Sequence, residues 1–132
     1  MTGRLLPIAL TCAALAFWGC GEDSGDEAGS TAGGPAVEMT DYAYSPKSLT
    51  VDRGAAIGVT NEGQIAHNLK IERGPDPKDE TDELAGTDTF LPGDRETLAV
   101  DLPPGRYVMV CTVPGHRELG MTGKLRVREP TN

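Results

Sequence analysis

Four side chains in this 132-residue sequence have the types and spacing needed to hold one soft metal ion. Only two histidines occur, His67 and His116. Apart from two cysteines near the N-terminus, Cys12 and Cys20, the only thiol is Cys111. It opens the run Cys111-Thr-Val-Pro-Gly-His116-Arg-Glu-Leu-Gly-Met121, a C-x4-H-x4-M pattern. A thiolate, two imidazoles and a thioether form the donor set expected of a type 1, or blue, copper centre that passes single electrons. Thiolate and thioether favour Cu(I), and imidazole serves either oxidation state. A site held by its fold therefore changes little on redox cycling, and little reorganisation means fast transfer.

These donors can meet only if the chain between them turns back. In an extended strand five residues cover about 16 Å and put the two side chains on opposite faces. Pro114-Gly115 supplies a turn between Cys111 and His116, and Gly120 gives Met121 a similar return. Parity agrees on either side. Ile65, His67, Leu69 and Ile71 share one phase, which puts His67 on an apolar face. Met121, Gly123, Leu125 and Val127 share another, with Lys124, Arg126 and Arg128 opposite. For Cys111 the pattern is less directional, because Tyr107 and Met109 share its phase while Val108 and Val110 oppose it. That strand is expected to be buried on both faces.

The elements that must carry these residues read as short strands. Candidates are Ala36–Asp41, Ser48–Val51, Ala56–Asn61, Ala66–Glu72, Arg95–Leu102, Gly105–Cys111 and Gly123–Arg128. Turn residues separate them at Ser45-Pro46, Arg53-Gly54, Asn61-Glu62-Gly63, Pro92-Gly93, Pro103-Pro104-Gly105 and Pro114-Gly115. Many short strands so spaced predict an all-β, Greek-key antiparallel sandwich or barrel over residues 36–132. Arg73 to Thr89 is polar and acidic and reads as a long crossover connection.

The first 35 residues lie outside that pattern. Met1 to Arg4 carries one positive charge, and Leu5 to Trp18 is almost wholly apolar. Such a stretch is too short to span a bilayer but suits the apolar region of an export signal. It ends at Phe17-Trp18-Gly19-Cys20, which resembles the lipobox of bacterial lipoproteins. Trp18 is bulkier than the residue usual there, and a plain secretory signal cut nearby is the alternative. The lipobox resemblance implies a diacylglyceryl group on Cys20 and an exported domain anchored to a membrane, on a periplasmic or extracellular face. Gly21 to Pro35 is Gly, Ser, Ala and acid without periodicity, a composition that buries too little surface to fold. As a tether of about 15 residues it reaches roughly 20 Å.

From Ala36 to Arg128 the sequence resembles a cupredoxin of the plastocyanin, azurin and auracyanin group. The resemblance rests on VEMTDYAYSPKSLTV, on NEGQIAHNL around the first histidine, and on LPPGRYVMVCTVPGHRELGMTGKLRV. It implies His67, Cys111 and His116 as equatorial copper ligands and Met121 as the long axial one. The gap between Cys111 and His116 resembles the longer ligand loop of azurin and auracyanin. Asn68, next to the first ligand, is implied as a second-layer residue bonding across to the cysteine loop, although strand parity points it the other way. The resemblance further implies an apolar docking patch beside His116, for which Val113, Pro114 and Leu119 are the candidates. Arg117 and Glu118 adjoin it as charges that tune partner encounter.

The formal net charge of -8 and its distribution narrow the function classes. From Glu22 to Asp88 there are 15 acidic and 5 basic residues, a surface that repels phosphate backbones and excludes nucleic acid. An oxidase or nitrite reductase needs further histidines for a second copper, and both are already used. A dinuclear copper centre needs a second cysteine, absent from Thr112 to Gly115. Catalytic zinc rarely keeps a thioether, and a metal-free adhesive sandwich leaves the donor set unexplained. Copper storage or delivery is the alternative to electron transfer, but delivery sites use Met- and His-rich arrays, and only four methionines occur here. The reading is a monomeric, non-enzymatic electron carrier that exchanges electrons with cytochromes or copper enzymes.

Overall fold

A computed structural model of the chain describes residues 33–74 and 82–131. Among the described residues there are nine strands: β1 Ala36–Thr40, β2 Ala43–Ser45, β3 Ser48–Asp52, β4 Ala55–Asn61, β5 Lys70–Arg73, β6 Glu83–Gly86, β7 Arg95–Val100, β8 Gly105–Val110 and β9 Thr122–Arg128. They form two sheets, one ordered β2-β1-β4-β7 and the other β3-β9-β8-β5-β6. Among the described residues there is no helix, and the fold is an all-β sandwich.

Period-two burial explains why these residues make these strands. β9 alternates Gly123, Leu125 and Val127 inward against Lys124, Arg126 and Arg128 outward. In β4, Ile57 and Val59 are fully buried, facing the core with Val37 and Met39 of β1 and Leu98 and Val100 of β7. The opposing sheet contributes Val51, Ile71, Tyr107, Met109, Leu125 and Val127 to the same cluster. β8, in the middle of the five-stranded sheet, is buried on both faces from Tyr107 to Val110, as its unbroken apolar run requires.

Both sheets are mixed in direction. β1 lies antiparallel to β2 but parallel to β4, and β3 lies parallel to β9. The cause is a change of sheet over Pro46 and Lys47, where the chain leaves β2 and enters β3 beside the last strand. The Lys47 carbonyl accepts a hydrogen bond from the Lys124 N–H at 2.8 Å, which pins that crossing.

Two strands lie where the sequence pattern gives no strand. β6 falls inside the polar stretch expected as a connection, and β2 is three residues long. Each is an edge strand bonded to one neighbour, so neither needs the inward-outward alternation that marks a central strand. Conversely, the expected strand at 66–72 shortens to Lys70–Arg73. Ahead of it His67 makes only an isolated bridge to Phe90. The export signal, Cys12, Cys20 and the tether up to residue 32 lie outside the described residues.

Candidate metal centre

Cys111 leaves the end of β8 and Met121 immediately precedes β9, so the intervening chain is a closed turn at one end of the sandwich. Gly115 and Gly120 hold φ of 85° and 95°, a left-handed conformation open to glycine without strain. Backbone bonds lace the turn. The Cys111 N–H donates to the Met121 carbonyl at 3.2 Å, and the Met121 N–H donates to the His116 carbonyl at 3.0 Å. The His116 N–H donates to the Val113 carbonyl at 3.0 Å. Pro114-Gly115 thus folds the chain back as its residue types require, and His116 returns towards Cys111.

His67 arrives from the other side, ahead of β5. Its Nδ1 lies 3.1 Å from Nδ1 of His116, and that atom lies 3.5 Å from the Cys111 Sγ. One ligand atom from each of the three residues falls within 4.8 Å of the others. All three side chains are buried, and Met121 is fully buried beside them in the core. His116 alone keeps a small exposure, 7%, which makes it the side of the cluster nearest solvent. The Tyr42 ring meets His116 edge-on with centroids 5.1 Å apart.

The electrostatics of the cluster suit a cation. Burial pushes the Cys111 thiol up from its ordinary value, while the backbone N–H groups of Asn68 and Val113 pull it the other way. Those two donors serve a thiolate better than a thiol, and a coordinated metal deprotonates such a thiol outright. Burial, then the neighbouring His67, pushes His116 down, so its imidazole is held neutral. The Nε2 of His67 faces Asp41 Oδ1 at 3.2 Å. The Asp41 carboxyl is held below its usual value, first by the backbone N–H of Gln64 and then by His67. An ionised carboxylate only accepts hydrogen bonds, so Nε2 of His67 is the donor to Asp41 and Nδ1 is the ring nitrogen that faces the cluster. The Nδ1 atoms of two imidazoles and a sulfur converging on one buried point fit a metal ion that takes N and S ligands.

Asn68 occupies a place that strand parity does not predict. Its Nδ2 donates to Thr89 Oγ1 at 2.9 Å and Thr112 Oγ1 at 3.0 Å, and its Oδ1 accepts from the Thr112 N–H at 2.9 Å. Because residues 66–69 lie outside any strand ladder, period two does not apply, and His67 and Asn68 are both buried. The Tyr44 hydroxyl donates to the Asn68 carbonyl at 2.8 Å.

The apolar surface beside His116 includes Leu119, 61% exposed, with exposed Pro114 and half-buried Val113. Arg117 departs from the expectation of a surface charge. Its guanidinium makes a bidentate pair with Glu72, 2.6 Å and 3.1 Å, with the two side chains 13% and 5% exposed. Its charge is spent inside the protein, tying the turn to β5. Asp41, Tyr42, Glu72, Thr89 and Thr112 are parts of the site that the sequence reading did not single out. Of these only Thr112 stands next to one of the four candidate donors, and the fold brings the others in.

Comparison with known proteins agrees with this geometry. Over 87 residues the chain is 31% identical to plastocyanin of Synechococcus sp. strain JA-2-3B'a(2-13), a match spanning 64% of this chain and 62% of that protein's length. The structure is similar to Na-dithionite-reduced auracyanin from the photosynthetic bacterium Roseiflexus castenholzii, with a TM-score of 0.62 and 27% identity, covering 70% of this chain and 94% of that one. Azurin Az-iso2 of the obligate methylotroph Methylomonas sp. strain J shares the fold, with a TM-score of 0.60 and 19% identity over 71% of this chain and 96% of that one. The family of copper binding proteins, plastocyanin/azurin family, matches residues 34–128. With His67, Cys111, His116 and Met121 in a type 1 copper arrangement, the chain belongs to the plastocyanin/azurin family of copper binding proteins, the cupredoxins, and its cofactor is copper.

Proposed function

We propose that this protein carries single electrons between redox partners by cycling one copper ion between Cu(I) and Cu(II). The observation that carries the reading is the buried convergence of His67, Cys111 and His116, with Met121 beside them, on two strand ends and a hydrogen-bonded turn. In this reading His67 Nδ1, His116 Nδ1, Cys111 Sγ and the thioether of Met121 would hold the copper. Bound copper supplies a one-electron couple, and the chain supplies everything else. The β-sandwich fixes the donor atoms, so little reorganisation would accompany a change of oxidation state. The N–H groups directed at the sulfur stabilise the thiolate, and burial excludes water and further ligands. Asn68 fastens the His67 segment to the cysteine turn.

Electrons enter and leave, on this reading, at the His116 edge through the patch of Val113, Pro114 and Leu119. Partners are cytochromes or copper enzymes that present an apolar surface of their own. The N-terminal segment adds export and a lipid anchor on Cys20, which restricts encounters to partners near the same membrane. No second copper centre is part of the reading, because the chain has only two histidines and both serve the first.

The carrier and copper-delivery readings separate in one experiment. The copper-loaded full chain is mixed in a stopped-flow instrument with a reduced c-type cytochrome, and separately incubated with a copper-free acceptor protein. Rapid bleaching of the blue colour with the copper retained is the expected result. Slow reduction, with copper passing to the acceptor, would replace the carrier reading with delivery.

A further inference from the structure

We propose that Asp41 is a positioning residue of the copper site, holding His67 through Nε2 and biasing the centre towards Cu(II). The proposal rests on the type 1 reading and adds a residue to it. Asp41 follows β1 in the turn to β2, far in sequence from every metal-binding residue. Its Oδ1 lies 3.2 Å from Nε2 of fully buried His67, while the carboxylate itself is 35% exposed. It therefore joins the buried imidazole to the surface without being buried itself.

Two further features show that the contact is built into the fold. The Gln64 N–H donates to the same Oδ1 at 2.8 Å, which fixes the oxygen that faces the ring. Gly63 leaves the space in which the pair meets. A Cβ at that position would lie 2.5 Å from Asp41 Oδ1 and 2.9 Å from His67 Nε2. Any larger residue would push carboxylate and imidazole apart.

The chemistry follows from charge. A carboxylate on the outer nitrogen of a metal-binding imidazole fixes its tautomer and raises its basicity. A fixed negative charge also favours a doubly charged ion over a singly charged one. Both effects stabilise the oxidised state and lower the reduction potential. The couple is Cu(II) plus one electron giving Cu(I). Asp41 forms and breaks no bond in it, and the proton stays on Nε2 in both states.

The test uses the copper-loaded full chain, with potentials measured by spectroelectrochemistry at low and high salt. Asp41→Asn keeps an acceptor oxygen and removes the charge. The preference for Cu(II) over Cu(I) should fall by about tenfold, a rise of about 59 mV for a one-electron couple. That rise should persist at high salt, and Gly63→Ala should move the potential the same way. Glu118→Gln removes an exposed charge near His116, and its smaller shift should vanish at high salt. A potential unchanged in Asp41→Asn, or a shift that salt erases, would overturn the proposal. Nitrogen NMR of wild-type Cu(I) protein gives an answer even if the variants do not fold. A proton on His67 Nε2 is expected, and a proton on Nδ1 would overturn the assignment. A wild-type chain that forms no blue centre would take down the parent reading as well. A blue wild type whose potential matches that of Asp41→Asn would remove the Asp41 role alone.

Discussion

Cys111, His116 and Met121 reach the site from a single turn between two adjacent strands, whereas His67, Asp41, Asn68 and Tyr42 come from separate segments on the other side. The first group is local: its backbone hydrogen bonds run within the turn, and its geometry follows from a Pro-Gly pair and two left-handed glycines. The second group is assembled by the sandwich. Asp41 comes from the β1–β2 turn, and His67 and Asn68 come from the irregular chain ahead of β5. The two groups are joined by a small number of polar links, chiefly Asn68 to Thr112 and Glu72 to Arg117. A loop can thus carry most of a donor set, yet its placement depends on residues that carry no metal chemistry.

Cutting the stronger of these links gives the largest effect on stability. Arg117→Met leaves the Glu72 carboxylate buried without its partner, and the copper-free chain should lose about 3 kcal/mol of unfolding free energy in urea. The double variant Arg117→Met with Glu72→Met should recover most of that loss, because a buried pair exchanged for apolar groups is often nearly neutral. A single variant as stable as wild type would mean that the turn holds itself in place. The same variant bears on partner encounter. Neutralising Arg117 also leaves the Glu72 charge uncompensated, and a salt dependence of transfer that stays unchanged would remove Arg117 from partner encounter.

Asn68→Ala removes three hydrogen bonds, two to Thr112 that join the halves and one to Thr89, each contributing about 1 kcal/mol. A loss of about 2 kcal/mol is expected in the same assay, together with a change in the visible spectrum of the copper-loaded protein as the cysteine turn relaxes. Destabilisation without any spectral change would mean that Asn68 supports the sandwich but not the site. Leu119→Ser, on the exposed side of the turn, should change stability by less than about 0.5 kcal/mol. Its effect should fall on the rate constant for reduction by a partner. Unchanged reduction kinetics would move the docking surface away from this patch.

The same division decides what could be read from the sequence. The C-x4-H-x4-M run was legible because its donors are close together and its turn residues have fixed roles. β9 was legible because alternation shows wherever one face meets the core and the other meets water. His67 was found through an apolar phase, although its segment proves to be irregular rather than a strand. Asn68 could not be placed by parity for that reason. β2 alternates but is only three residues long, and β6 carries little alternation because an edge strand is half-exposed and its polar residues do no harm. Asp41 and Glu72 were invisible as parts of the site, since an acidic residue in a turn or a strand has no signature until the fold gives it a partner.

The most direct test of the central claim is the visible and EPR spectrum of the Cu(II)-loaded full chain, recorded beside Cys111→Ser. An intense thiolate-to-copper band and a narrow hyperfine splitting, at one copper per chain and both lost in the variant, are the predicted result. A colourless wild type, or a band that survives removal of Cys111, would contradict the account.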